Sequence, residues 1–252
     1  MSEIERIRIL DVPVDMVDYE SALARLKELM EKEGCDMIVT PNSEIVVNAT
    51  KDPELKKLIE EASLIIPDGI GLVKAAKILK LPLRERCTGV DFLNRILEYL
   101  QETGKSVFLL GSKPANEERP SVADMAAEEM KKVYPNLRVA GTNDGYFKAE
   151  DEAALVAKIN ESGADFLCVA LGSPKQEKFV YTHRNEFTTV RAAIGVGGTL
   201  DVWAGTVKRA PEFWQKHSIE WLYRFIKEPV RFKRVLQLPV FMLKVMGSRG
   251  RR

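Results

Sequence analysis

Short runs of consecutive apolar residues recur along the chain, and each is followed by a segment whose apolar positions are three or four residues apart. The five pairs are CDMIVTPN before SEIVVNA, ASLIIPDG before IGLVKAAKIL, KSVFLLGS before VADMAAEEMKKVY, ADFLCVALGS before PKQEKFVYTHRNEF, and VRAAIGVGG before TLDVWAG. Continuous runs are typical of strands buried on both faces, and the wider spacing is typical of amphipathic helices. The alternation predicts an α/β fold, a Rossmann-like and mostly parallel sheet with helices on both faces.

Each predicted strand ends in a turn rich in glycine, proline and small polar residues. These turns cover residues 40–42, 67–69, 111–114, 172–176 and 195–199. In open parallel sheets, ligands bind beyond the carboxyl ends of the strands. We therefore expect the functional site at this edge of the sheet.

Charge divides the chain into an acidic part and a basic part. From Thr206 onward there are twelve Lys and Arg against three Glu, so this segment carries +9 of a formal net charge of +1 and residues 1–205 carry −8. We expect residues 1–205 to form the catalytic body and residues 206–252 to form a basic amphipathic appendage. A basic tail on an acidic body indicates a polyanionic partner, either nucleic acid or anionic lipid.

The tail combines aromatic and apolar residues with basic ones. Its apolar positions lie broadly on one side of two predicted helices, with Pro239 expected to kink the second. One interpretation is a helix pair packed on the body with solvated charges, and the other is a helix pair on an anionic bilayer. The Lys and Arg excess favours the bilayer, where each cation adds about 1 kcal/mol.

Several classes of protein are disfavoured by composition. The three cysteines are far apart and form no CxxC, and only two histidines occur, without an HExxH motif, so neither a disulfide framework nor a zinc site is expected. Cys168, inside FLCVAL, is interpreted as a core residue. No apolar window reaches the roughly 18 residues that span a bilayer. These features predict a cytoplasmic protein.

The GVGGT segment after the last predicted strand is a candidate phosphate cradle, because glycines let the backbone approach a phosphate. The residues concerned are Gly195, Gly197, Gly198 and Thr199, and a tight turn between packed elements is the alternative. The LGSK segment, with Gly111 and Lys113, is a weaker second candidate. Leu200 occupies the third glycine position of GxGxxG, which disfavours a nicotinamide-dependent oxidoreductase.

Asp68 follows a predicted strand and is a candidate general base. The alternative, which does not exclude the first, is an N-cap for a helix beginning near Ile70. Thr40 and Asn42 end the neighbouring strand, where Asn42 either binds a sugar hydroxyl or turns the chain. Glu177, in the first turn of a predicted helix, is interpreted as ordinary compensation of the helix dipole.

No DxD motif occurs, although enzymes that hold a nucleotide diphosphate through Mg²⁺ or Mn²⁺ usually supply clustered carboxylates. We therefore expect no metal and no cofactor. The diphosphate charge would be met by backbone N–H groups and by cations, for which Arg86, Lys208, Arg209, Arg224, Arg231 and Arg234 are available.

Taken together, seven motifs resemble the WecG/TagA/CpsF family of bacterial glycosyltransferases, glycosyltransferase family 26. They are TPNSEIVVNA, IIPDGIGLV, RCTGVDF, NDGYF, LGSPKQE, GVGGTLDVWAGTVKRAP and EWLYRFIKEPVRFKR, which run from about Thr40 to Arg234. The likeness is strongest to the enzymes of teichoic-acid linkage-unit synthesis. It implies transfer of N-acetylmannosamine from UDP-ManNAc to undecaprenyl-diphosphate-GlcNAc, with inversion and without a metal.

The resemblance also implies roles for individual residues. It assigns the catalytic base to Asp68, and it places Thr40, Asn42, Arg86 and Gln176 in the same pocket. It brings three appendage residues to the active site, Arg224, Arg231 and Arg234, and Tyr146 of NDGYF is counted with the substrate-binding residues. Two segments differ from the family's usual pattern: KPANEERPSVAD is longer, and KHSIEW replaces a glycine-leucine before Glu-Trp.

The expected partners are a UDP-sugar donor, a polyprenyl-diphosphate-linked acceptor and an anionic membrane surface, with peripheral attachment to the inner face of the cell membrane. The apolar surface of the tail could contact either lipid or a second subunit, so the sequence leaves the oligomeric state undecided and a homo-oligomer is one alternative. Two alternatives from other classes are a nucleic-acid-binding protein, which the acidic body disfavours, and a catalytically silent membrane adaptor. Within the family, other donors are ManNAc uronic acid, glucose and glucuronic acid.

Overall fold

The structure, a computed structural model, describes residues 4–83, 86–211, 213–214, 222–223 and 237–248. Its central element is a six-stranded sheet in which every neighbouring pair is parallel, in the order β4-β3-β8-β7-β5-β6. The strands are β3 (Asp36–Val39), β4 (Leu64–Ile65), β5 (Ser106–Gly111), β6 (Arg138–Asn143), β7 (Phe166–Ala170) and β8 (Ala192–Gly195). The predicted fold class is confirmed.

Helices connect these strands. In chain order they are α1 (Tyr19–Met30), α2 (Ser43–Ala49), α3 (Pro53–Glu60), α4 (Ile70–Leu79), α5 (Gly89–Thr103), α6 (Val122–Val133), α7 (Glu152–Glu161) after a 3₁₀ turn (Ala149–Asp151), α8 (Lys175–His183), α9 (Thr199–Trp203) and α10 (Gln237–Ser248). The five strand-helix pairs read from the apolar pattern are all present. Helix α8 ends at His183 and not at Phe187, because Glu186 N–H turns back to the His183 carbonyl at 2.8 Å.

The core has one half on each face of the sheet. Alternate strand residues enter each half: Val107, Leu109 and Phe166 face one side, and Phe108, Leu110 and Leu167 face the other. Helices α1, α5, α6 and α9 cover the first side, and α2, α3, α4, α7, α8 and α10 cover the second. Burial on both faces explains the continuous apolar runs of the strands.

Two features without a long apolar run were not predicted. One is the antiparallel hairpin of β1 (Arg6–Ile9) and β2 (Val12–Asp15), whose turn residues Leu10 and Asp11 both have positive φ, 50° and 63°. Asn-Gly is the usual sequence for such a turn, so the Leu-Asp sequence does not indicate a hairpin. The other is β6, an edge strand without a fully buried residue.

Helix α10 packs on the body, against α2 and α4. Phe241 and Val245 are fully buried in the core, whereas Val240, Leu243 and Met246 are 39%, 66% and 52% exposed. The predicted apolar side of this helix, in its described part, faces the body: Phe241 and Val245 are buried there, Met242 packs against the same core, and Leu238 is half-buried. Whether Pro239 bends a longer helix lies outside the described residues. Within the described part of the chain, no helix has the length and apolarity needed to cross a bilayer.

Candidate functional site

A cleft of about 370 Å³ opens at the carboxyl ends of β3, β4, β7 and β8. This is the sheet edge at which the sequence predicts a ligand. The lining contains most of the predicted site residues, namely Thr40, Asn42, Asp68, Arg86, Gln176, Gly197, Gly198 and Thr199. These residues come from distant parts of the chain and meet because parallel strands bring their carboxyl ends to one edge.

Thr40 and Asn42 are fixed by local hydrogen bonds. Thr40 is 8% exposed, and its hydroxyl donates to the Gly195 carbonyl at 3.1 Å, which joins the end of β3 to the end of β8. Asn42 is the N-cap of α2, where its Oδ1 accepts from Ile45 N–H at 3.0 Å. Asn42 thus turns the chain into a helix, and it still lines the cleft beside Thr40.

Asp68 is not the N-cap of α4. The cap position is Gly69, whose φ of +93° suits glycine and whose lack of a side chain leaves α4 without a capping hydrogen bond. Asp68 N–H donates to the Pro41 carbonyl at 3.0 Å, which joins the ends of β4 and β3. The N-cap interpretation was therefore wrong, and Asp68 lines the cleft instead.

The carboxylate of Asp68 and the hydroxyl of Thr40 lie against the same glycine. A Cβ placed on Gly89 would be 3.6 Å from Asp68 Oδ2 and 3.8 Å from Thr40 Oγ1. Gly89 is the first residue of α5, a 15-residue helix capped by the Thr88 hydroxyl. The positive end of the α5 dipole therefore stabilises negative charge on Asp68.

Gln176 and Glu177 form a buried pair behind the cleft. Both are 3% exposed, and Gln176 Nε2 donates to Glu177 Oε1 at 2.9 Å. On its other side, Gln176 Oε1 accepts from Gly197 N–H at 3.1 Å. Burial raises the pKa of the Glu177 carboxyl, and the opposing effects of Gln176, its own backbone N–H and Ser173 do not reverse the rise. Glu177 does lie in the first turn of α8, as predicted, but nothing in the sequence indicated that it is buried and bound to Gln176.

Gly195 is needed for this packing, because a Cβ there would be 2.4 Å from Gln176 Nε2. The backbone N–H groups of the following turn are largely in use. Val196 N–H donates to Val169 O, Gly197 N–H to Gln176 and Thr199 N–H to Val196 O. The turn therefore has fewer N–H groups available to a phosphate than the glycine pattern indicated. It also serves as a tight turn between packed elements, which was the alternative interpretation of this segment.

The second phosphate candidate lies beside the cleft. Gly111 has φ +129° and packs on the β7 backbone, where a Cβ would be 2.5 Å from the Ala170 carbonyl oxygen. The Ser112 hydroxyl donates to Asp201 Oδ1 at 3.0 Å, which connects this turn to α9. Lys113 and Tyr146 are exposed, Tyr146 by 72%, and among the described residues neither they nor Gly111 line the cleft.

Three basic residues of the described part of the chain border the cleft. Arg86, Lys208 and Arg209 all line it, and Arg209 pairs with the Asp91 carboxylate at 2.8 Å. Arg224, Arg231 and Arg234 lie outside the described residues. In the part of the chain that is described, no three His, Cys, Asp or Glu side chains are grouped so as to hold a metal ion.

Sequence reasoning did not identify several polar residues of the lining. Glu44 and Asn48 face the cleft one turn apart on α2, and Ser173 and Asp201 line it from the turn before α8 and from α9. Only the four-residue spacing of Glu44 and Asn48 was visible in the sequence. Without the direction of the helix that spacing carries no functional signal.

Residues 7–252 match the family described as Glycosyl transferase WecG/TagA/CpsF family. The chain is 34% identical over 240 residues to a protein of Bacillus spizizenii, an alignment that covers 93% of this chain and 90% of the relative. It is 36% identical over 250 residues to a protein of Staphylococcus aureus, covering 98% of this chain and 95% of the relative. Both relatives are named N-acetylglucosaminyldiphosphoundecaprenol N-acetyl-beta-D-mannosaminyltransferase.

Proposed function

The chain belongs to the WecG/TagA/CpsF family of glycosyl transferases, and on that premise we propose that it transfers N-acetylmannosamine from UDP-ManNAc to undecaprenyl-diphosphate-GlcNAc. The names of the relatives give the sugar and the acceptor, and the product is the linkage unit of teichoic acids. The observation that carries the proposal is the single cleft that collects Thr40, Asn42, Asp68, Arg86 and Gln176.

In the proposed reaction Asp68 is the general base. Its carboxylate accepts the proton of the GlcNAc 4-hydroxyl while that oxygen attacks the anomeric carbon of the donor sugar. The bond from the anomeric carbon to the diphosphate oxygen breaks, and its electron pair leaves with UDP. A single displacement of this kind inverts the anomeric configuration, and a positioned base typically contributes 10²–10⁴-fold.

Negative charge grows on the departing diphosphate, and we assign its stabilisation to cations. Arg86, Lys208 and Arg209 line the cleft and are close enough to the ligand space for this role. Arg224, Arg231 and Arg234 stay in the proposal as diphosphate ligands supplied by the tail. The Gly198–Thr199 turn and the Gln176 carboxamide would orient the donor.

The tail is proposed to hold the enzyme on the cytoplasmic face of the membrane, where a lipid-linked acceptor is found. Support comes from its charge of +9 and from the outward row of Val240, Leu243 and Met246 on α10. Apolar side chains on an exposed helix face insert shallowly into a bilayer, and basic residues bind anionic headgroups. The described part of the tail is thus suited to lie on a membrane.

The test is a donor panel with a short-chain diphosphate-GlcNAc acceptor, read by mass spectrometry. We expect UDP-ManNAc to give product, in excess EDTA as well as in Mg²⁺. If only UDP-ManNAc uronic acid, UDP-glucose or UDP-glucuronic acid gives product, the family assignment holds and the proposed donor sugar is wrong. No product from any donor, with binding to liposomes or nucleic acid intact, would favour a non-catalytic protein.

A further inference from the structure

The Gln176 carboxamide is held from both ends. Gly197 N–H requires an acceptor, which is Gln176 Oε1 at 3.1 Å, and Glu177 Oε1 provides an acceptor for Gln176 Nε2 at 2.9 Å. An amide turned by 180° would put its NH₂ against the Gly197 N–H and its oxygen against the carboxyl oxygen. The Gly197 N–H, which can only donate, therefore sets which way the amide faces, and Glu177 Oε1 holds the NH₂ group of the amide in that orientation.

The pair is packed as well as hydrogen-bonded. Gly195 leaves no room for a side chain, since a Cβ there would overlap the Gln176 amide nitrogen and lie 2.9 Å from its Cδ. Gly195 also accepts the Thr40 hydroxyl bond, and Thr40 lies with Asp68 at the start of α5. One continuous set of contacts thus runs from Glu177 through Gln176 and Gly195 to the candidate base.

A buried carboxyl costs folding free energy that an apolar side chain of similar size would not cost. A carboxyl at this place therefore calls for a reason beyond filling the space. Glu177 is 3% exposed, and among the described residues its Oε2 has no partner in hydrogen-bonding geometry, although Ser173 is near enough to oppose the rise of the carboxyl's pKa. Burial raises the pKa of this carboxyl, so the neutral acid is favoured. A leucine or methionine would fill the space without that cost, which indicates that the acceptor oxygen facing Gln176 is the reason for a polar residue.

We propose that Glu177 is a positioning residue for the donor site, whose buried carboxyl fixes the Gln176 carboxamide and, through it, the 197–199 turn. Glu177 does not line the cleft and does not touch the reacting atoms. Its effect reaches the donor through Gln176 and through Gly197, Gly198 and Thr199, which do line the cleft. The inference rests on the proposed function only for the identity of the donor.

The experiment compares Glu177→Gln, which keeps an acceptor oxygen, with Glu177→Leu and Glu177→Met, which remove it. Val180→Ala is the matched control, because Val180 is a core residue of the same helix, 1% exposed and outside the cleft lining. Steady-state kinetics with UDP-ManNAc, thermal unfolding and hydrogen exchange at the Gly197 amide are measured for each variant.

We expect the Leu and Met variants to lose roughly 10- to 100-fold in kcat/KM for the donor, because a misplaced amide and turn misorient the donor. Their melting temperatures should equal or exceed that of the wild type, and the Gly197 amide should exchange faster. Glu177→Gln should stay within about threefold of the wild type in kcat/KM. Val180→Ala should show the opposite pattern, a lower melting temperature with kcat/KM and Gly197 exchange unchanged.

The inference is overturned if the Leu and Met variants keep wild-type kcat/KM, or if their loss only follows a loss of stability. It is also overturned if Glu177→Gln is as impaired as they are. Wild-type protein that does not turn over UDP-ManNAc would defeat the proposed donor but not this inference, because Gly197 exchange needs no turnover. Unchanged exchange in the Leu and Met variants would then be the result that rejects it.

Discussion

At the residue scale, the loop after β4 gives neighbouring residues separate functions. Gly69 is the N-cap of α4, with a backbone conformation that favours glycine, and Asp68, one residue earlier, lines the cleft. Elsewhere in the same protein, Asp52 does cap a helix, accepting from Leu55 N–H at 3.1 Å. The two aspartates provide a direct comparison of a proposed catalytic role and a structural role.

We expect Asp68→Asn to lower turnover by about 10² or more with little change in stability, because the amide cannot accept the proton and no cap is lost. Asp52→Ala should do the reverse, costing about 1 kcal/mol of unfolding free energy with normal turnover. Turnover assays and urea unfolding of both variants check this. Near-normal turnover of Asp68→Asn would remove Asp68 from the role of base.

Glu177 predicts a pH dependence of stability. Its pKa is raised in the folded protein from an ordinary value of 4.5, so above that pH the unfolded chain releases the proton first and wild-type stability falls. Relative to Glu177→Gln, the unfolding free energy should decrease by up to about 1.4 kcal/mol per pH unit until the folded protein also ionises. Urea unfolding between pH 4 and pH 8 measures the difference. A difference that does not change with pH would show that the folded protein does not favour the neutral acid.

At the element scale, α10 has two faces with different surroundings. Phe241 and Val245 belong to the core that α2 and α4 form, and Leu238 of the same helix lines the cleft. The outward face carries Val240, Leu243 and Met246. The helix therefore connects the proposed membrane surface with α2 and α4, whose N-cap residues are Asn42 and Gly69. The boundary at residues 205 and 206 stays a prediction, and removal of everything after it would take these core contacts away.

We expect Phe241→Ala to cost about 3–5 kcal/mol of unfolding free energy, because the side chain is fully buried. Leu243→Ser, at a position 66% exposed, should change stability by no more than about 0.5 kcal/mol and should weaken liposome binding. Chemical unfolding and liposome flotation separate the two effects. Unchanged flotation of a Leu243→Ser, Met246→Ser double variant would argue against this face as the membrane contact.

At the scale of the whole molecule, body and tail carry opposite net charge, which supports the proposal that the basic segment meets an anionic membrane or a lipid-linked diphosphate. The net charges are −8 for residues 1–205 and +9 for the remainder. Charge alone supports membrane attraction, whereas a catalytic role needs particular side chains in the cleft. A soluble acceptor distinguishes the two, since with it membrane attachment is not required.

We expect Arg231→Ala and Arg224→Ala each to lower turnover on a soluble short-chain acceptor by about tenfold or more, because each removes a cation that we propose binds the leaving diphosphate. Liposome binding should be nearly kept, as one cation contributes only about 1 kcal/mol. Lys244→Ala is the matched control: it removes the same charge from an exposed position on α10 that does not line the cleft. Full activity of both arginine variants on the soluble acceptor would leave the tail as an anchor only.

Some features of this protein follow from the sequence by itself. The strand-helix pairs are local patterns, visible because doubly covered strands require continuous apolar runs, as in residues 166–170. The shared edge of Thr40, Asp68 and Gln176 follows from the same patterns, since parallel strands present their carboxyl ends together. Turns such as Leu10-Asp11 and edge strands such as β6 carry no such pattern and were not predicted.

Only the tertiary structure decided how the polar groups at that edge are used. Gly69 caps α4 in place of Asp68, Gln176 takes the Gly197 N–H that the glycine pattern offered to phosphate, and Glu177 is buried. Phe241 faces the core, whereas Val240 and Leu243 of the same helix are exposed. The physical reason is that burial and hydrogen-bond partners depend on segments far apart in the chain, such as Gly195 beside Gln176 and α10 beside α2, whereas periodicity reports only on neighbours within a few residues.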